Sequence, residues 1–494
     1  MWSGHPDQNY IYVLIYFFAG APECFVKDGK SFKGNKGHIV ECVVPKSSET
    51  EEVINNYSVL IVDLSVEIRS KASMVGQKNY TYREFILFIL DNIASAAASV
   101  NATQIDIVID FYHAMSIKAG TRLERGSSSR VLFSLDDAVP GNLTDLLKNN
   151  DFKNDLNSSF SQLEILEEWS WQWDYCVTNG KFVMERIDGI QSKRILCMQP
   201  TNTSLEEADN RIVLHIRDAI ILRDKHEVLV RTVDSDVIII LLGFFPQLLQ
   251  YNEDVMLSVD YGTGNFRRFI NINNCYQHIG ESNALALQFF HALSGCDSTS
   301  FIYKKSKTVL FNRWMHSPKY EDLTEAFQKL SWLPSQQTIE ECLPILYQFL
   351  ESAFGGGYGG NLDEFRLTTF KASSSNNLRE LPPSRRGLEL HVRRASYQAG
   401  WVWGNAISQE PTPKLSEFGW TVVNGKPNIL WSADGAKTGI IDEITKTCKC
   451  KVSSSSVNEP KDKCKNCMCA KAKISCLEQC NCLRQCKNKN KITG

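Results

Sequence analysis

The stretch Tyr57-Ser-Val-Leu-Ile-Val-Asp63 is an apolar run of strand length that ends on a carboxylate. A run with no polar alternate positions reads as a strand buried on both faces, as in a parallel sheet covered by helices. The pattern recurs downstream. Tyr82 to Val100 reads as a helix, and Ile105-Asp-Ile-Val-Ile-Asp110 as a second buried strand ending on Asp. Ser204 to Leu222 has helical spacing, carried by Ile212, Leu214, Ile216, Ala219 and Ile220. Val228 to Leu242 reads as a third strong strand, interrupted by Asp234 and Asp236. This alternation predicts an α/β fold built on a parallel sheet. Ligands of such sheets sit beyond the carboxyl ends of the strands.

Working outward, residues 1–56 are weakly patterned, and Lys27 to Gly37 is Lys- and Gly-rich and reads as loop. Tyr10 to Ala21 is apolar, but no Lys or Arg precedes it, so it reads as a strand or a ragged N-terminus and not as a signal peptide. Arg130 to about Ser170 is polar and acidic with helical pieces. Gly355 to Gly360 and Lys371 to Asn377 mark a boundary region, Leu388 to Trp403 reads as a helix, and Pro411 to Trp431 as a docked extended segment. The expected organisation is an N-terminal segment (1–56), an α/β domain (57–315), a helical and extended region (316–447) and a small cysteine-rich domain (448–486). Of the 494 residues, 43% are apolar and 22% charged, which excludes wholesale disorder, collagen and coiled coil. No uninterrupted apolar run reaches about 18 residues, so no membrane span is expected.

A buried apolar strand accepts Asp only at a cost of several kcal/mol unless the carboxylate is paired or metal-bound. Asp63, Asp110, Asp234 and Asp236 stand at such strand ends. Glu206-Glu207-Ala-Asp209 sits at the start of the helical stretch from Ser204, and Asp297 follows in Ser294-Gly-Cys-Asp297. Singly, each is an ordinary helix cap or turn former. As a set on one sheet edge they predict a divalent metal site. Mg²⁺ (or Mn²⁺) takes a few carboxylates plus water and substrate phosphate, and a pair of ions about 4 Å apart suits phosphodiester hydrolysis.

In this order the residues resemble the flap endonuclease and XPG-type nucleases, a branch of the PIN-like fold. The resemblance spans about residues 57 to 315. It rests on Asp63, Asp110, Glu207-Ala-Asp209, Asp234-Ser-Asp236 and Gly295-Cys-Asp297, with Ser116-Ile-Lys118 and Arg125 between the second and third. It implies two metals, one held by Asp63, Asp110, Glu207 and Asp209, the other by Asp234, Asp236 and Asp297, with Lys118 and Arg125 on the scissile phosphate. The segments Glu206 to Arg211, Val233 to Val237 and His291 to Thr299 also resemble uncharacterised animal proteins associated with mobile elements. Where the nuclease family has a Gly-x-Gly turn after its last Asp, this chain reads Phe301-Ile-Tyr-Lys-Lys-Ser-Lys-Thr308. Lys304, Lys305 and Lys307 would there meet phosphates as point charges.

Seven of the sixteen cysteines are scattered singly and nine crowd between Cys448 and Cys486, a distribution that fits a reducing compartment and a metal site. The nine run Cys448-x-Cys450, then Cys464-x2-Cys467-x-Cys469, then Cys476-x3-Cys480-x-Cys482-x3-Cys486. Four-coordinate zinc fits nine thiolates as about three ions with bridging sulfurs. The order resembles a tesmin-type CXC domain, which implies DNA binding, although Asn466 stands before Cys467 where that family often has Tyr. Residues 448 to 494 hold eleven basic and three acidic residues, a formal +8, on a body of formal −10. Lys463, Lys465, Lys471, Lys473 and Arg484 are expected to contact phosphates. Two readings follow: a nuclear Mg²⁺-dependent, structure-selective DNA nuclease with a zinc-cluster tail, or a catalytically inactive scaffold of the same fold docked on DNA or chromatin. A third has the acids serve stability alone.

Overall fold

The computed structural model describes residues 22–27, 30–45, 56–72, 74–75, 79–110, 117, 131–169, 173–179, 182–195, 208–372, 378–423 and 426–431. Its centre is an eight-stranded sheet. The strands are β1 (Val59–Asp63), β2 (Gln104–Val108), β3 (Asp174–Asn179), β4 (Phe182–Ile187), β5 (Ile190–Ile195), β6 (Glu227–Thr232), β7 (Met256–Tyr261) and β8 (Arg268–Asn271). Their order across the sheet is β8-β7-β6-β1-β2-β3-β4-β5. The five central strands, β7-β6-β1-β2-β3, are parallel, and antiparallel strands close both edges. The chain moves from β1 outward through β2 and β3, then returns to the other side of β1 as β6. The topological switch point therefore lies between β1 and β6, where Val59 pairs with Val228 and Val62 with Arg231.

All five residues of β1 and all five of β2 are buried. Side chains alternate between faces. Val59 and Ile61 enter one core with Val228, Val230, Leu257 and Val259. Leu60 and Val62 enter the other with Ile105, Ile107 and Val177. Burying each such side chain is worth about 1.5–3 kcal/mol, enough to hold a strand that carries Asp63 at its end.

Helices cover both faces. One side holds α1 (Leu64–Ala72), α2 (Tyr82–Ser99) and α3 (Asn150–Ser159). A Thr81–Glu84 capping box starts α2. The other side holds α4 (Ala208–Arg223), α5 (Ser235–Tyr251), α6 (Glu281–Leu293), α7 (Lys307–Met315), α8 (Tyr320–Ser331), α9 (Gln336–Ala353) and α10 (Arg385–Ser396). A seven-residue π-helix, Tyr397–Trp403, continues α10. That core runs from Cys24 to Trp420, so residues 22–45 and 316–431 pack on the same body as the sheet. Within it, the glycines from 355 onward form a turn tied back by Gly360 N–H to Glu351 Oε2 at 2.8 Å.

The run from Val228 to Leu242, expected as one strand, is a strand and a helix. β6 ends at Thr232, and Asp234 caps α5 by accepting the Asp236 N–H at 2.8 Å. The first turns of α5 are buried all round, from Ser235 to Phe245. A helix without a polar face cannot be told from a buried strand by periodicity. The segment from Pro411 to Trp431 includes a docked hairpin, Trp420–Val423 with Lys426–Ile429. Among the described residues, no helix is long and apolar enough to cross a membrane, and Cys24, Cys42, Cys176, Cys296 and Cys342 form no disulfide.

Candidate functional site

The chain turns from β1 directly into α1, so the Asp63 carboxylate meets the first free N–H groups of a helix. Asp63 Oδ1 accepts the Ser65 N–H at 3.0 Å, and Thr232 Oγ1 reaches Asp63 Oδ2 at 3.5 Å across the switch point. Ser65 also joins the neighbouring strand end: its Oγ donates to Asp110 Oδ2 at 2.8 Å. The other Asp110 oxygen accepts the Ala208 N–H at 2.8 Å, at the first residue of α4. That bond brings the start of α4, and Asp209 with it, to the same sheet edge.

The β6–α5 junction supplies the next pair. Thr232 Oγ1 accepts the Asp234 N–H at 3.1 Å and fixes the turn. Asp209, Asp234 and Asp236 each place a carboxylate oxygen within 4.8 Å of the others, a group that can hold a metal ion. Asp236 is shut off from solvent and accepts from His291 Nε2 at 2.9 Å. Burial, with Lys307 nearby, pulls the His291 imidazole down to about 4, so it is neutral at ordinary pH and donates from Nε2.

Asp297 is joined to this group by a lysine from a segment whose composition reads as loop. Lys36 Nζ lies 2.8 Å from Asp234 Oδ1, 3.1 Å from Asp236 Oδ2 and 2.9 Å from Asp297 Oδ2. Burial works against the ammonium, but Asp236, Asp234 and Asp297 outweigh it and hold its pKa well above the usual lysine range. Burial, reinforced by Asp110 and Asp234, raises the Asp63 carboxyl, and burial with Asp236 raises Asp234 against the opposing pull of Lys36. Crowded, desolvated carboxylates of this kind are the donor set a hard divalent cation takes. Asp209, Asp234 and Asp236 come close enough together to share one such ion. Asp234, Asp236 and Asp297 already share an ammonium.

The wall behind the site comes from the π-helix. Ser298 Oγ donates to Gln398 Oε1 at 2.6 Å, Asn210 Nδ2 donates to the Val402 carbonyl at 2.6 Å, and the Trp403 ring lies 5.6 Å from the His291 ring. Cβ atoms on Gly400 and Gly404 would lie 2.2 Å from Pro334 and 2.3 Å from the Ser331 carbonyl, so only glycine allows this approach.

The six described carboxylates of the expected set, Asp63, Asp110, Asp209, Asp234, Asp236 and Asp297, stand at one edge of the sheet. Glu207, Lys118, Arg125 and all nine cysteines from Cys448 to Cys486 lie outside the described residues, as do Lys463, Lys465, Lys471, Lys473 and Arg484. The three lysines after Asp297 are not alike. Lys304 is exposed and pairs with Glu380 at 2.6 Å, at a left-handed position (φ 56°) where glycine would be at ease. Lys305 lies over the Phe354 ring. Lys307, expected to meet a phosphate, is buried instead: its Nζ donates to the His291 carbonyl at 2.7 Å and to Ser294 Oγ at 2.8 Å. Burial lowers it to about 7. It ties α7 to the end of α6 and is not a surface charge.

A second buried network sits lower on the sheet. Asp106 Oδ2 is 2.8 Å from His215 Nδ1, and His215 Nε2 is 2.8 Å from Thr178 Oγ1. Arg223 reaches Asp106 at 3.3 Å and Cys176 Sγ at 2.7 Å. Burial opposes the Asp106 charge, yet Arg223 and His215 bring its carboxyl down to about 2. Asp106, His215 and Thr178 are all fully buried, so the set pins α4 to β2 and β3 and reaches no substrate.

Compared with models of protein families and with curated proteins, the chain matches none.

Proposed function

We propose that the chain is a Mg²⁺- or Mn²⁺-dependent phosphodiester hydrolase acting on DNA, of the flap endonuclease and XPG type. Residues 448–486 would form a CXC-type zinc cluster that recruits the substrate in the nucleus. The observation that carries this reading is the gathering of Asp63, Asp110, Asp209, Asp234 and Asp236 at the switch point of the parallel sheet. A central β1 with β2 and β3 on one side and β6 and β7 on the other supports a PIN-like fold. When bound, the metal supplies a water activated as nucleophile and charge against the phosphoryl oxygens.

The chain's own residues do the rest. Asp63, Asp110, Asp209 and Asp234 would hold the ion, with Ser65 orienting the first two through its N–H and its hydroxyl. His291, neutral and buried, fixes Asp236. Two-sided packing of β1 and β2 keeps Asp63 and Asp110 rigid.

The deciding experiment is metal-dependent cleavage of flap, bubble and hairpin DNA. Wild type should cut with Mg²⁺ or Mn²⁺. Asp234→Ala and Asp236→Ala should abolish cutting and leave DNA affinity intact or raised, because each removes negative charge from the acid cluster. The ammonium of Lys36 within 3.1 Å of three acids favours a second reading, an inactive DNA- or chromatin-binding scaffold. A wild-type protein that cuts nothing with either metal selects it.

A further inference from the structure

Lys36 is not a wandering surface lysine. It opens the short 3-10 turn Lys36–Ile39, capped by Asn35, whose side chain accepts the Gly37 N–H at 2.9 Å. Ile39, Val40 and Val43 anchor the following residues in the core. The segment before it is stitched to the turn that bears Asp297. Lys33 Nζ donates to the Asp297 carbonyl at 2.7 Å, and the Phe301 N–H donates to the Phe32 carbonyl at 2.9 Å. A Cβ on Gly34 would lie 2.6 Å from the Phe301 ring, so the two segments touch with no room for a side chain. Backbone bonds and buried anchors therefore aim the ammonium at Asp234, Asp236 and Asp297.

We propose that Lys36 is a resident cation that takes the place of a second divalent ion at Asp234, Asp236 and Asp297, so that the acid cluster accepts a single divalent ion. The inference rests on the metal-dependent reading above and deepens it. A divalent ion bound to Asp234, Asp236 and Asp297 would need carboxylate oxygens at about 2.0–2.1 Å, inside the triangle whose centre the ammonium fills. Nζ and such an ion cannot share that space, and their charges repel. Replacing one ion by an ammonium keeps the three carboxylates neutralised while giving up one site of exchangeable metal.

The test counts Mn²⁺ on the full-length chain by electron paramagnetic resonance titration. Mn²⁺ is the probe because thiolates hold it weakly and carboxylates hold it well. Wild type should bind a single Mn²⁺. Lys36→Met should bind a second, with affinity of the cluster raised at least about tenfold by loss of the repelling charge. Lys36→Arg should behave as wild type. Should Lys36→Met fail to fold, Asp297→Asn decides: its side chain is 45% exposed and its loss should leave the Mn²⁺ count unchanged, because it pairs with Lys36 and not with the ion. Two Mn²⁺ on wild type, a count lowered by Asp297→Asn, or no Mn²⁺ on either wild type or Lys36→Met would overturn the proposal. Failure of the hydrolase reading is separate, since it is read as absent cleavage with these Mn²⁺ counts unaltered.

Discussion

His291 Nε2 lies 2.9 Å from Asp236 Oδ1, and neither side chain reaches solvent. The pair joins α6 to α5 directly beneath the acid cluster. His291→Ala would take one hydrogen bond from a buried carboxylate and open a cavity, and should destabilise the protein by about 2–4 kcal/mol. His291→Gln keeps a donor and should recover part of that loss. Urea unfolding of the two variants measures the difference.

Asp106→Asn should be costlier. It removes the counter-charge of Arg223, whose side chain is only 7% exposed. Leaving one partner of a buried pair unmatched costs about 3–5 kcal/mol. Asp106 lies four residues before Asp110, roughly 13 Å along the strand direction. Mn²⁺ affinity of the folded variant should therefore match wild type, so a combined loss of stability and metal binding would contradict the separation of the two networks.

The metal-free protein should lose stability as pH rises. The Asp63 carboxyl is raised to about 8 by burial, Asp110 and Asp234, against about 3.9 for an unfolded Asp. Between those values the native state holds a proton that the unfolded chain has released, so folding weakens with rising pH. Melting temperatures from pH 5 to pH 8 should fall more steeply for wild type than for Asp63→Asn. Mn²⁺ should restore the wild type most at the upper end.

Lys307→Met should leave DNA affinity and its salt dependence unchanged, since the ammonium is bonded inside the protein to His291 and Ser294. Unfolding should register the substitution instead. A salt slope made shallower by the equivalent of one phosphate would place this lysine at the nucleic acid after all.

The cysteine-rich tail should bind about three zincs per chain by elemental analysis. Deleting residues 448–494 should weaken DNA binding and flatten its salt dependence, by about 0.9 in log–log slope for each phosphate that the tail neutralises. A truncated chain with unchanged slope would reduce the +8 of that segment to a solubilising role.

β1, β2 and the acids at their ends are legible in the sequence because an unbroken apolar run ending on Asp has few other uses. Lys36 is not. Its partners lie 198 and 261 residues away, and its neighbours, rich in Lys and Gly, have the composition of a loop. The same limit applies to Lys304, Lys305 and Lys307, which look equivalent along the chain. Only the docking of α7 on the end of α6 buries the third. Asp106 is hidden for a different reason: its partners, His215 and Arg223, face it from a helix more than a hundred residues downstream.

The π-helix at Tyr397–Trp403 makes the back wall of the site sensitive to the gain or loss of one codon. Its wide turn is closed by the Gly404 N–H on the Ala399 carbonyl at 2.7 Å, a spacing of five residues. Removing a single residue would let the segment relax into an ordinary α-helix. Every side chain beyond the deletion would then swing by about 100° around the axis. The Val402 carbonyl would leave Asn210, and the Trp403 ring would leave His291. A reading-frame-neutral deletion distant in sequence from those acids would thus unseat the supports of both the helix bearing Asp209 and the imidazole that holds Asp236. The length of that short stretch bears on the site as directly as the acids themselves.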